Sequence, residues 1–144
     1  MSQTGQNQNP TSHSVASLLP KLNDADPDIR YMTLNDLNHA FEVGHPTFLV
    51  HDYTTCAKVV DGLLHTLNDS NGDVQNMSIK TLGSFVPKAP ESILSPTIEK
   101  VSNIKTDNSI DTTVAALAVR AVVVSLAHPV PGVPRGQKLS LIHI

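Results

Sequence analysis

Leu18-Leu19-Pro20-Lys21-Leu22-Asn23-Asp24 returns 45 residues downstream as Leu63-Leu64-His65-Thr66-Leu67-Asn68-Asp69. Further on, Asp28, Met32 and Leu37 fall on Asp73, Met77 and Leu82, while Ile29, Thr33 and Leu34 meet Val74, Ser78 and Ile79. A 24-residue window therefore holds eight identities at a single offset, the mark of an internal repeat. Working outward, Val15, Leu18, Leu19 and Leu22 are spaced i, i+3, i+4, i+7, which predicts a helix over Ser14 to Asn23. Asp26-Pro27 supplies a cap and a first-turn proline for a second helix reaching about Phe41, with apolar positions Ile29, Met32, Leu34, Leu37 and Phe41. Gly44, His45 and Pro46 end it.

The second unit repeats the plan from about Asp52 to Asn68, turns at Asn71-Gly72, and runs from Asp73 to Val86. Periodicity predicts a third pair over Pro96 to Ile104 and Ser109 to Leu126, after a link punctuated by Pro87 and Pro90. No stretch keeps a period-two alternation, so strands are not expected. A period in the forties built of helix pairs is that of HEAT and armadillo arrays, and the expected fold is an all-α solenoid of about three antiparallel pairs. The turn from Leu22 to Arg30 resembles the HEAT pattern, in which the residues corresponding to Asp24 and Arg30 hydrogen-bond and pair along the inter-repeat turns. The second unit keeps Asp69 but carries Gln75 where arginine belongs, which breaks the ladder. Thr33 and Ser78 stand where small side chains let paired helices approach. Since each pair needs a neighbour to cover its apolar face, Val119, Val122 and Val123 are expected to be partly uncovered and the array marginally stable.

Both ends differ from this core. Residues 1–13 read as a disordered polar tail, since Met1 to Thr11 holds no apolar residue after the initiator. The repeats fill 14–45, 52–88 and 93–127, and a Pro/Gly-rich connector follows over 128–138. Leu139-Ser-Leu-Ile-His-Ile144 matches the translation of CTG-TCT-CTT-ATA-CAC-ATC, a transposase-end adapter used in short-read sequencing. The hexapeptide is read as a scar; the alternative is a genuine terminal strand or helical turn.

Composition narrows the function. Hydrophobic residues at 40% can build a core, but no run is long enough to span a membrane. Aromatics at 3% and a net charge of −3 leave little for stacking on bases or binding phosphates, so neither nucleic acid nor membrane is an expected partner. No basic start or apolar segment marks a signal peptide, and the expectation is a soluble, intracellular chain. One cysteine, Cys56, excludes an internal disulfide and reads as core filling. His39, His45, His51 and His65 lack the close helical spacing that zinc wants. Neither a Gly-x-Ser-x-Gly elbow nor a Gly-Lys-Ser/Thr loop occurs. Asp24-Ala-Asp26-Pro-Asp28 alternates as a calcium loop does, but Ile29 and Asn35 stand at the glycine and glutamate positions, so helix capping accounts better for these acids. No catalytic residue, cofactor, metal or small-molecule substrate is therefore expected.

Particular strings go further. Arg30-Tyr-Met32-Thr-Leu-Asn35-Asp36-Leu37 and Asn71-Gly-Asp73-Val74-Gln75-Asn76, followed by Lys80-Thr-Leu82-Gly83, resemble the beginning of the cullin-associated, neddylation-dissociated family. The resemblance covers roughly Val15 to Pro134, except for the loop from Glu42 to Tyr53. It implies a long HEAT solenoid that wraps an unmodified cullin and its RING subunit, excludes the ubiquitin-like modifier and speeds exchange of substrate receptors. The N-terminal repeats would face the cullin C-terminal region and the RING subunit. In HEAT arrays the second helix of each pair lines the concave face, and Arg30, Asn35, Asp36, Gln75, Asn76 and Lys80 are the polar residues expected there. The competing readings are another HEAT adaptor, such as a nuclear transport or phosphatase scaffold, and a helical enzyme with a concealed pocket.

Overall fold

The structure is a computed structural model that describes residues 9–103, 112–127 and 132–133. These residues form six α-helices and two 3-10 turns: α1 (Ser12–Leu18) with the turn Leu19–Asn23, α2 (Pro27–Val43), α3 (Tyr53–Leu67), α4 (Gly72–Phe85) with the turn Val86–Lys88, α5 (Glu91–Asn103) and α6 (Thr112–Leu126). No strand occurs among them. Helices α1, α3 and α5 pack in one layer and α2, α4 and α6 in a second, with α2 against α4 and α4 against α6. This is the expected HEAT-repeat solenoid of three pairs.

Local chemistry sets the helix starts. Asp26 and Asn71 occupy equivalent positions and do equivalent work, their Oδ1 atoms accepting from the amides of Asp28 and Asp73 at 2.9 Å. One step earlier, Asp24 Oδ1 accepts from the Asp26 amide and Asp69 Oδ1 from the Asn71 amide. The turn acids are thus occupied by backbone N–H groups. Asp52 caps α3 through the Thr55 amide and hydroxyl, and Thr11 and Ser14 form a capping box on α1. Helix α1 therefore starts at Ser12, two residues before the expected first repeat; the rest of the expected tail lies almost wholly outside the described residues.

Several elements differ from expectation, each for a local reason. Pro20 tightens the end of the predicted first helix into a 3-10 turn, although Val15 and Leu22 are both buried as the stripe requires. Helix α5 begins at Glu91 and not at Pro96, which lies within it. Proline there forgoes one bond to the Ser92 carbonyl, while the earlier start buries Ile93 and Leu94. Met32, expected among the apolar positions of α2, is 61% exposed, whereas its repeat counterpart Met77 is buried. Val122, expected to be partly uncovered, is buried beside Ile98 and Val101 of α5; Leu117 and Val124 are the exposed aliphatics of α6. Val119 and Val123 are half-buried, as expected. Gly132 has φ +83°, and a Cβ there would come within 2.9 Å of Thr47 Cγ2; Val133 beside it is buried. The remainder of the connector and the terminal hexapeptide lie outside the described residues.

The core is aliphatic but for one aromatic pair. Phe41 and Phe85, the largest fully buried side chains, meet between α2 and α4 with ring centroids 5.2 Å apart and planes tilted by 56°. Thr33 and Ser78 are buried between paired helices, where Thr33 Oγ1 returns to the Ile29 carbonyl and Ser78 Oγ bonds the Leu63 carbonyl and Thr66 Oγ1. Small hydroxyl residues at these positions allow close packing and still satisfy their own polarity.

Candidate partner-binding surface

The second-layer helices are tied in register by polar side chains. Arg30 makes a bidentate pair with Asp69, Nε to Oδ2 at 2.7 Å and Nη2 to Oδ1 at 2.9 Å, while Nη1 donates to the Asp24 carbonyl. The Asp–Arg pairing expected along the inter-repeat turns is present as one rung, Arg30 to Asp69, and Asp24 serves Arg30 through its backbone carbonyl. Further along, Thr81 Oγ1 donates to the Leu34 carbonyl and Ser84 Oγ to Asn38 Oδ1. Lys88 Nζ donates to the carbonyls of Glu42 and Gly44. These four ties, met in order along both helices, make α2 and α4 parallel. Ser125 Oγ, donating to the Gly83 carbonyl at 2.7 Å, joins α6 to α4.

This framework places the six expected contact residues differently. Arg30 and Gln75 are engaged inside the array, Gln75 Nε2 donating to the Leu67 carbonyl in its own repeat. Asn35, Asn76 and Lys80 are exposed on the outer face of α2 and α4. Asp36 is also exposed, but a helix turns about 100° per residue, which carries it to the stripe of Met32 and Val43 on the side of α2 away from α4. The outer face continues onto α6 with exposed Leu117, Arg120 and Val124, none of which the sequence reading nominated. Their spacing, i, i+3, i+7, is visible in the sequence. Nothing there told the solvent face of α6 from its buried one, because α6 is apolar all round.

Burial pushes the Cys56 thiol up to about 12, and its Sγ lies 3.5 Å from the Leu49 carbonyl, so it fills space as a thiol and not as a nucleophile. His45 Nδ1 receives the Thr47 amide within its own loop. Among the described residues, no three His, Cys, Asp or Glu side chains gather as a metal site would require. No described helix is long and apolar enough to cross a membrane.

Acid should loosen the joint between the first two repeats. Burial works against the Asp69 charge, but the hydrogen bonds from Arg30 and the Asn71 amide outweigh it and hold the carboxyl below its ordinary 3.8. The amide and hydroxyl of Thr55 lower Asp52 in the same direction. The unfolded chain therefore takes up these protons first. The stabilisation is complete above pH 3.8 and is lost as pH falls through the lowered folded values. Asp69→Asn should unfold at lower temperature than the parent at pH 7, and the gap should narrow as pH falls below 3.8 through the lowered folded value. A constant gap across that range would show that the Asp69 charge does not support the joint.

Comparison with known proteins agrees with the repeat pattern. Over 118 residues, 82% of this chain, the sequence is 42% identical to "Cullin-associated NEDD8-dissociated protein 1, N-terminal part" of Emericella nidulans. It is 39% identical over 79 residues to Cullin-associated NEDD8-dissociated protein 1 of Drosophila melanogaster, and 29% identical over 113 residues to Cullin-associated NEDD8-dissociated protein 2 of Mus musculus. The chain spans 35% of the Emericella relative and 6% and 9% of the other two. No family model and no solved structure matches. The repeated turns, the two-layer helical array and these relatives agree that the chain belongs to the cullin-associated NEDD8-dissociated protein family.

Proposed function

We propose that the chain is a non-enzymatic scaffold that binds unneddylated cullin–RING ubiquitin ligases and regulates their assembly and the exchange of their substrate receptors. In this reading it is the end of the scaffold that faces the cullin C-terminal region and the RING subunit, acting in cytoplasm and nucleus without nucleic acid, membrane or cofactor. The observation that carries it is the 42% identity across 82% of the chain to a relative named for cullin association. The fold supports the same reading, because a solenoid offers a broad, continuous helix face. A stable contact buries about 800 Å² on each partner, more than one repeat edge supplies, so binding should spread over several repeats.

Co-precipitation with purified cullin–RING complex tests this, using the chain lacking Leu139 to Ile144 and comparing neddylated with unneddylated cullin. Retention of the unmodified form alone is expected. Equal retention of both forms would remove modification sensing from these repeats. Loss of both, with helical circular dichroism intact, would favour a different partner.

A further inference from the structure

The hydrogen bonds that fix helix register also fix which exposed residues share a level. Leu34 is level with Thr81, and Asn38 with Ser84, so Asn35 lies across from Lys80. Gly83 is contacted by Ser125, and a Cβ on it would lie 3.8 Å from that of Ala121. Lys80, one turn before Gly83, therefore lies across from Arg120. Asn35, Lys80 and Arg120 form one row over three adjacent helices, whose packed axes are typically ~8–10 Å apart. Leu117 and Val124, 45% and 49% exposed, lie about one turn before and after Arg120 on the same helix.

The row is positive in a chain of net charge −3. Among the described residues neither Lys80 nor Arg120 makes an ion pair; the pairs found are Arg30 with Asp69 and Lys100 with Asp61. The acids along these helices stand about two turns from the row: Asp73 precedes Lys80 by two turns, Asp28 and Glu42 lie two turns either side of Asn35, and Asp36 points to the other side of α2. Two unneutralised cations flanked by exposed aliphatic side chains fit a surface that alternates carboxylates with apolar residues. A basic or neutral partner would leave both cations without a counter-charge beneath the contact.

We infer that Lys80 and Arg120 receive carboxylates of an acidic, leucine- or valine-bearing segment of the protein partner, with Leu117 and Val124 as its apolar seat. This inference rests on the cullin–RING reading and adds where, and by what chemistry, the grip is made. Arg120 suits bidentate capture of a carboxylate, and Lys80 supplies a point charge beside it. The α6 end of the face then contributes more to recognition than the α2 end.

The test uses the 144-residue chain with unneddylated cullin–RING complex, treated with a carbodiimide that condenses a lysine amine and a carboxylate in contact into an amide. Lys80→Glu/Arg120→Glu should weaken binding about tenfold or more and flatten its salt dependence. Lys21→Glu/Lys58→Glu on the first layer should bind as the parent does. Mass spectrometry should find Lys80 joined to a partner Asp or Glu. Parent-like binding by the first variant, with no Lys80 cross-link, would overturn this surface and leave the cullin reading standing. Failure of the unaltered chain to bind would overturn the cullin reading for these repeats and this assignment with it.

Discussion

Phe85→Ala should lower the unfolding free energy by about 3–5 kcal/mol, read as a shift in urea midpoint at unchanged slope. Phe85 and Phe41 are fully buried and face each other across the α2–α4 contact, so truncation removes the ring and also leaves Phe41 beside a cavity. Few side chains could move in. Leu82 and Val86, close to Phe85 in the chain, and Leu37, one turn before Phe41, are themselves fully buried core residues. A domain of this size has about 5–15 kcal/mol to lose, so the variant should sit near the edge of folding. Phe85→Leu keeps most of the volume and should cost about 1–2 kcal/mol. Met32→Ala, at an exposed position, should change stability by less than about 0.5 kcal/mol. If Phe85→Ala proved as mild as Met32→Ala, α2 and α4 would not be packed through this pair.

The repeat, the helix pairing and the caps at Asp26, Asn71 and Asp52 were legible because capping is local and period is a one-dimensional property. What was not legible depends on the neighbouring repeat. The turn motif marks Arg30 and the turn acids as a ladder between repeats, but the stacking of the repeats decides that the carboxylate Arg30 meets is that of Asp69, 39 residues away. Met32 and Met77 hold equivalent places in the repeat, but only Met77 has a second-layer helix on both sides. Pro96 looks like a helix start, a role proline also fills at Pro27; the gain from burying Ile93 and Leu94 is invisible to a rule about proline alone.

The same limit governs the binding face. Periodicity could nominate exposed polar residues on α2 and α4, where apolar and polar positions separate. It could not orient α6, whose apolar residues run round the whole helix. Orienting α6 required the Ser125–Gly83 bond, and with it Arg120 joined Lys80. Two of the sequence-nominated residues, Arg30 and Gln75, have their donors committed within the array. With Leu117, Arg120 and Val124 of α6 added, the exposed set available to a partner extends over all three repeats, which agrees with a grip shared along the solenoid.

Lys88→Met should cost about 2 kcal/mol, because it keeps the aliphatic stem but leaves two carbonyls at the end of α2 without their donor. Helix α2 has no basic residue in its own last turn. Its negative end is met by a cation from the following repeat, with Lys88 Nζ 2.8 Å from the Gly44 carbonyl and 3.2 Å from that of Glu42. Lys88 is buried, and burial holds its pKa below the ordinary 10.5 although the Glu42 charge works the other way. The folded chain therefore gives up this proton before the unfolded chain does. The parent should gain stability relative to Lys88→Met as pH rises through the lowered folded value towards 10.5. Denaturant titrations of both proteins from pH 7 to 10 would measure the neutral cost and its alkaline growth together. The cost should also be cooperative with the aromatic pair, since Lys88 follows Phe85 by three residues and both hold α4 against the last turns of α2. The double variant should then lose less than the sum of the two single losses. Strict additivity would mean that the polar and aromatic contacts hold separate parts of the joint.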